Sequence, residues 1–265
     1  MSVHEYENTP SMKVISIGAS DPGKVRSVNE DSILCDEAAG LFILADGMGG
    51  HACGKHASTR AIEAIADYMN RWRNEDGFTW PFDPVPKRSV SENHVATALR
   101  VANVRVYNEA QRTDELGGMG TTAAVILVDG ETVVVGHVGD SRCYALNEDQ
   151  FRQITEDHSL VNQLIRAFDL TEEEATAKAG KNVLVQSIGM DDDIVPQVCS
   201  LETKSMTTLL LCSDGLTDML SDESIESILK ANLSDLTKAS KQLIKQANQA
   251  GGNDNISVIL VQFQP

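Results

Sequence analysis

Apolar and polar positions follow two different periods along this chain. Residues 14–17, 41–45, 123–128, 132–138, 208–212 and 256–263 are short runs rich in Val, Ile, Leu and Thr. That composition suits a half-buried pleated surface and predicts strands. Elsewhere the apolar residues recur every three or four positions. Ile62, Ile65, Met69 and Trp72 mark one face of a helix over 56–72, and Val95, Leu99, Ala102 and Val106 mark another over 91–112, with Ser91 as its N-cap. Further on, Ser234 caps a helix whose face is Leu236, Leu243 and Ala247, and Gly251-Gly252 stops it. Residues 158–180 read as a helical insertion in which Thr171 and Glu174 have capping-box spacing. Residues 74–90 carry three prolines and no period, and predict an ordered excursion between two helices.

Asp129-Gly130 falls between two strand runs, where Asp-Gly suits a type I′ hairpin turn. Runs of strands interrupted by paired long helices, rather than strict alternation, favour an α+β architecture with antiparallel sheets. No internal repeat, linker or low-complexity tract divides the 265 residues, so a single domain spanning 1–265 is expected.

Charge narrows the partners. Thirty-nine acidic against 22 basic side chains leave a net charge of −17. Duplex nucleic acid and anionic lipid both require clustered Lys and Arg, so neither is an expected partner. An anionic substrate would need local positive charge from elsewhere, and a bound metal ion is the obvious source. No apolar run approaches the ~20 residues of a membrane helix, and the first residues lack a basic-then-apolar signal pattern. Cys35, Cys53, Cys143, Cys199 and Cys212 are scattered without a CxxC pair, which reads as reduced thiols in the cytoplasm.

The informative carboxylates stand at strand ends. Four Asp-Gly pairs occur; Asp76-Gly77 and Asp129-Gly130 sit in ordinary turn settings. Asp46-Gly47 and Asp214-Gly215 instead follow the buried-looking runs LFILA and TLLLCS. A carboxylate at the mouth of a buried strand is costly to desolvate unless it is paired or bound to a cation. Asn29-Glu30-Asp31 precedes another apolar segment, and Asn253-Asp254-Asn255 precedes the last strand. Antiparallel neighbours can bring such ends to one sheet edge. Oxygen ligands without His or Cys suit Mg²⁺ or Mn²⁺; the alternative is a set of separately solvated turn aspartates.

Six segments taken together, DPGKVRSVNED (21–31), ADGMGGH (45–51), GMGTT (118–122), GDSR (139–142), CSDGL (212–216) and GNDNI (252–256), resemble the metal-dependent protein phosphatases, the type 2C serine/threonine enzymes, in their compact bacterial form. The likeness runs from about residue 13 to residue 263. It implies a four-layer α-β-β-α sandwich, two mainly antiparallel sheets flanked by helix pairs, and a binuclear Mn²⁺ or Mg²⁺ centre. It further implies hydrolysis of phosphoserine and phosphothreonine by direct attack of a metal-bridging hydroxide, on protein substrates of a serine/threonine kinase, by a signalling enzyme. A monomer is expected separately, since no long coiled coil or exposed apolar helix in the sequence demands a partner.

The resemblance also assigns roles. Asp46 would bridge the two ions and the Gly47 carbonyl would bind one of them. Asp214 and Asp254 would hold the other, and Glu30 and Asp31 would bind the first directly or through its waters. Arg26 would grip the phosphate, a task suited to a planar guanidinium fork. His51 either protonates the leaving group or is a loop histidine hydrogen-bonded nearby. Bacterial members add a third ion, for which Asp114 is favoured over Glu115. The 158–180 insertion corresponds to the family's flap. A catalytically inactive binding or signalling module is the alternative function.

Other phosphate chemistries fit less well. GASDPGKV (18–25) nearly spells a P-loop, but Val25 stands where a hydroxyl would hold Mg²⁺, and no amphipathic helix follows. Cys53 and Arg60 miss the spacing of cysteine phosphatases, and Asp46-Gly-Met48 lacks the second aspartate of carboxylate-nucleophile enzymes.

Overall fold

A computed structural model describes residues 13–49, 53–147, 150–180, 183–202 and 208–264. In chain order the first half comprises β1 (Lys13–Asp21), β2 (Ser32–Asp36), β3 (Leu41–Ala45), β4 (Gly47–Met48), α1 (Cys53–Asn74), α2 (Val90–Arg112), a 3-10 turn (Asp114–Leu116), β5 (Gly120–Thr121), β6 (Ala123–Asp129) and β7 (Thr132–Val138). The second half comprises β8 (Arg142–Leu146), β9 (Phe151–Gln153), α3 (Leu160–Phe168), α4 (Glu172–Ala179), β10 (Gln197–Glu202), β11 (Thr208–Cys212), α5 (Asp214–Thr217), α6 (Asp222–Ala231), α7 (Leu236–Ala250) and β12 (Ile256–Gln264).

Among the described residues the long strands form two five-stranded sheets, ordered β1-β12-β11-β8-β9 and β10-β7-β6-β3-β2, and every pairing is antiparallel. Alternation along the strands builds three dry layers. Phe42 and Leu44 of β3 and Ile126 of β6 meet Leu209 and Leu211 of β11 and Ile259 and Val261 of β12 between the sheets. The opposite faces of β3 and β6, with Ile43, Val125 and Leu127, pack on Ile65 and Leu99 of α1 and α2. On the other outer face Leu210 and Leu260 pack on Ile225 of α6 and Leu243 of α7. Central strands buried on both faces read as continuous apolar runs, which is why 41–45 and 208–212 stand out so clearly in the sequence. The four-layer α+β sandwich is the architecture expected.

Two helix starts differ from the sequence reading. Helix α2 is capped by Ser89, whose side chain accepts from the Glu92 N–H while Glu92 reaches back to the Ser89 N–H. Ser91 lies inside the helix and its hydroxyl donates to Asp129 at the β6–β7 hairpin. Helix α7 is capped by Asp235, which accepts from the Lys238 N–H, and not by Ser234. Short polar residues crowd both starts, and tertiary bonding decides which of them caps. The Thr171–Glu174 capping box is present at α4. The excursion after α1 is fastened by aromatic stacking: His94 lies between Trp72 and Trp80 with ring centroids 3.8 Å away on each side. The Tyr68 hydroxyl is 2.9 Å from its Nδ1.

Candidate metal centre

Antiparallel register places the acidic strand ends together. Ser32 at the start of β2 faces Ala45 at the end of β3, and Cys212 at the end of β11 lies between Arg142 of β8 and Val258 of β12. Residues 31, 46, 214 and 254 flank those positions, so all four carboxylates emerge at one end of the sandwich. Asp46 is fixed through its backbone. Its N–H donates to Thr122 Oγ1 (3.0 Å), and its carbonyl accepts from the Thr122 N–H and the Thr121 hydroxyl, each at 2.8 Å. The GMGTT segment thus acts as a clamp that frees the Asp46 side chain. Gly47 follows on β4, where a Cβ would come within 2.1 Å of the Gly54 carbonyl oxygen and 2.7 Å of that of Glu30. Only glycine lets these three segments close together.

Asn255 ties the first loop to the last strand. Its amide donates to the carbonyls of Pro22 (3.1 Å) and Val28 (3.0 Å), and its carbonyl accepts from the Glu30 N–H (2.8 Å). Asp31 is 2% exposed and accepts one hydrogen bond from the Ser213 hydroxyl at 2.9 Å. Arg26 stands at the rim and donates to Asp254 at 2.7 Å.

The electrostatics are those of a site short of positive charge. Burial, followed by the charges of Asp31, Asp214, Asp140 and Asp254, pushes the Asp46 carboxyl well above the usual range. Asp214 is pushed up to about 8, first by burial and then by Asp140, Asp254, Asp218 and Asp31. Burial also raises Asp31, against hydrogen bonds that favour its charged form. Three oxygens, Glu30 Oε1, Asp31 Oδ1 and Asp214 Oδ1, are buried and have no hydrogen-bond partner among the described residues. Unpaired buried carboxylate oxygens are costly. A hard divalent cation is the counter-charge such an all-oxygen set suits, so the residues present fit Mn²⁺ or Mg²⁺. Among the described residues no three His, Cys, Asp or Glu side chains already close around a single point. The Arg26–Asp254 pair occupies one carboxylate oxygen that ligation would free.

Asp140 and Asp218 were not named as candidates, yet both bear on Asp214. Burial lifts Asp140 to about 6, with Asp157 the next cause. The signal was present: TVVVGHVGD places Asp140 after an apolar strand just as LFILAD places Asp46. Asp114 behaves differently. It is exposed in the 3-10 turn and enters none of these contacts or charge interactions, so the structure does not bring it to the cluster. His51 lies outside the described residues. The 158–180 insertion forms α3 and α4, and a cavity of about 300 Å³ runs from Asp140, Asp214 and Asp218 to Ser159 and Asn162 at the start of α3. The flap therefore borders the acidic cluster.

Known proteins share this fold and sequence pattern. The family model described as protein phosphatase 2C matches residues 24–258. The serine/threonine phosphatase stp of Listeria innocua is 34% identical over 246 residues, covering 92% of this chain and 93% of the relative. The protein phosphatase PhpP of Streptococcus pneumoniae is 35% identical over 247 residues, with 92% and 95% covered. Among solved structures, the catalytic domain of the serine/threonine phosphatase PstP in complex with two manganese ions superposes with a TM-score of 0.79 at 31% identity, covering 96% of this chain and all of that one (100%). With the matched fold, the ordered motifs and the gathered carboxylates in agreement, this chain belongs to the protein phosphatase 2C family, the metal-dependent serine/threonine phosphatases, in its compact bacterial form.

Proposed function

We propose that the chain removes phosphate from phosphoserine and phosphothreonine on proteins, and that Asp46, Gly47, Asp214, Asp254, Asp31 and Glu30 hold the divalent ions that the reaction requires. The observation that carries this reading is the set of unpartnered oxygens on Glu30, Asp31 and Asp214 beside Asp46. Two Mn²⁺ or Mg²⁺ ions held there supply water activation and neutralise charge on the phosphoryl oxygens.

The remaining roles belong to the chain itself. Thr121 and Thr122 keep the Asp46 backbone still, and Ser213 orients Asp31. Arg26 is half exposed at the rim, so side-chain rotation alone lets it exchange Asp254 for a substrate phosphate. A planar five-donor fork then holds two phosphoryl oxygens and aligns the ester. His51 is the candidate for protonating the departing oxygen. For a third ion, the carboxylates gathered around Asp214 are Asp140 and Asp218, and Asp114 is not assigned that role. An intact carboxylate set with its arginine favours catalysis over the inactive-module alternative.

On this reading residues 1–265 form one catalytic domain, with its core at 13–263 and its flap at 158–180. It acts in the cytoplasm, consistent with five free cysteines, and opposes a serine/threonine kinase. A surface charged at −17 does not favour nucleic acid or an anionic membrane as a partner. Among the described residues no helix is long and apolar enough to cross a membrane. The test is phosphate release from a phosphothreonine peptide with Mn²⁺. Turnover should vanish on chelation and return with the metal. Turnover by the chelated enzyme, or none with Mn²⁺ on folded protein, rejects the proposal.

A further inference from the structure

A cavity of about 640 Å³ lies on the far side of the start of α3 from the acidic cluster, and Arg88, Arg166, Val185 and Val195 contribute to its lining. Asp157, Ser159 and Asn162 line both this cavity and the smaller one that reaches Asp214. The two are therefore adjoining halves of a furrow that leads away from the metal centre over the first turn of α3.

The far half differs in character from the near half. Its own acids are already taken: Asp157 accepts a bidentate pair from Arg142 and a bond from Gln153, and Glu156 accepts from Arg166. The His158 ring, its pKa lowered by burial against the charges of Glu156 and Asp157, lines the wall. Arg88 is the exception. Its guanidinium makes no hydrogen bond or ion pair among the described residues; its charge helps to lower the Glu92 carboxyl, which is itself engaged by the Ser89 N–H and the Ser200 hydroxyl. Val185 and Val195 leave apolar surface at the rim, 45% and 75% exposed. A half-buried cation with no hydrogen-bonded partner among the described residues, beside apolar surface, complements an acidic side chain with an apolar neighbour.

We propose that this furrow seats the stretch of phosphoprotein flanking the phosphorylated residue, with an acidic side chain of that stretch on Arg88 and an apolar one against Val195. The proposal rests on the phosphatase reading and deepens it: Arg88 makes the enzyme select among phosphoserine and phosphothreonine sites by their neighbours. The occupant is an extended peptide because the furrow runs on from the cleft where the phosphate sits.

The test is a phosphothreonine peptide carrying Glu or Lys, in turn, at each of the three positions on either side. The ratio of kcat/KM for each Glu–Lys pair is read in wild type, Arg88→Glu and Arg88→Lys, with thermal melting to confirm that each is folded. Wild type should prefer Glu at one or two positions by about three- to fivefold, the scale of a partly exposed charge pair. Arg88→Glu should reverse that preference, Arg88→Lys should keep its sign, and the change should reside in KM. A Glu–Lys ratio at every position that is the same in Arg88→Glu as in wild type overturns the furrow assignment while leaving the phosphatase reading intact. Failure of wild type to hydrolyse even p-nitrophenyl phosphate with Mn²⁺ overturns both.

Discussion

Leu211 and Asp214 stand three residues apart at the end of β11, and the molecule treats them in opposite ways. Leu211 is 0% exposed between the two sheets, surrounded by apolar side chains, and every contact there favours the folded state. Asp214 is enclosed with four other aspartates, so folding crowds acidic groups together, with Arg26 paired to Asp254 at the rim. The same strand supplies stability along its length and discards some at its tip. On the proposed reading, function resides where the packing logic stops, and metal ions held at this tip would offset the crowding that the fold does not.

The sharpest way to break this contrast is to neutralise the tip. Asp214→Asn should lower turnover by several orders of magnitude and, above about pH 8 where the wild-type carboxyl is ionised, raise the melting temperature of chelator-treated protein, because it removes one of the crowded charges. Manganese should stabilise the wild type more than the variant. A fall in melting temperature without metal would mean that Asp214 is a structural partner after all.

Next in size is the middle of the strand. Leu211→Ala should cost about 2–5 kcal/mol in chemical denaturation, with turnover per folded molecule nearly unchanged. Loss of catalysis at full folding would erase the distinction between the two positions.

A third case is a buried group whose charge the core rejects. Burial lowers His94 from 6.5 to about 4, so the unfolded chain binds its proton first as pH falls. Its contribution is complete above about pH 6.5 and is lost as pH drops toward 4, amounting to about 3 kcal/mol. His94→Phe keeps a ring between Trp72 and Trp80 and should flatten the stability profile over that interval. An unchanged slope would mean that the ring is already charged or solvated.

The smallest effect should come from the rim. Arg26→Ala should raise KM for phosphopeptides roughly tenfold, about 1.4 kcal/mol, with less change in kcat. A fall in kcat at constant KM would place the arginine on the transition state rather than on the bound substrate.

The sequence made the strand middles legible because burial on both faces leaves a continuous apolar run, as at 41–45 and 208–212. The tips were legible for a related reason: an acid directly after such a run contradicts its surroundings and draws notice. Asp140 escaped because Gly136 and His137 dilute the apolar run before it. Strand β10 escaped because it lies at a sheet edge and its burial is partial along its length. The Ser91 and Ser234 caps were misplaced by one or two residues, since hydroxyl and carboxyl neighbours compete for the same N–H groups. Arg88 carries no local signature at all. Its significance depends on what Arg142 and Arg166 have already neutralised across the furrow, which no linear pattern records.

Strand β12 is inserted between β1 and β11, and Asn255 at its entrance bonds the carbonyl of Pro22, 233 residues earlier. During synthesis β1, an edge strand that pairs with β12, must therefore wait for that neighbour until residues 256–264 have been translated. A product that ends before residue 254 lacks both that fastening and Asp254, so on the proposed ligand set its acidic cluster would be left one carboxylate short.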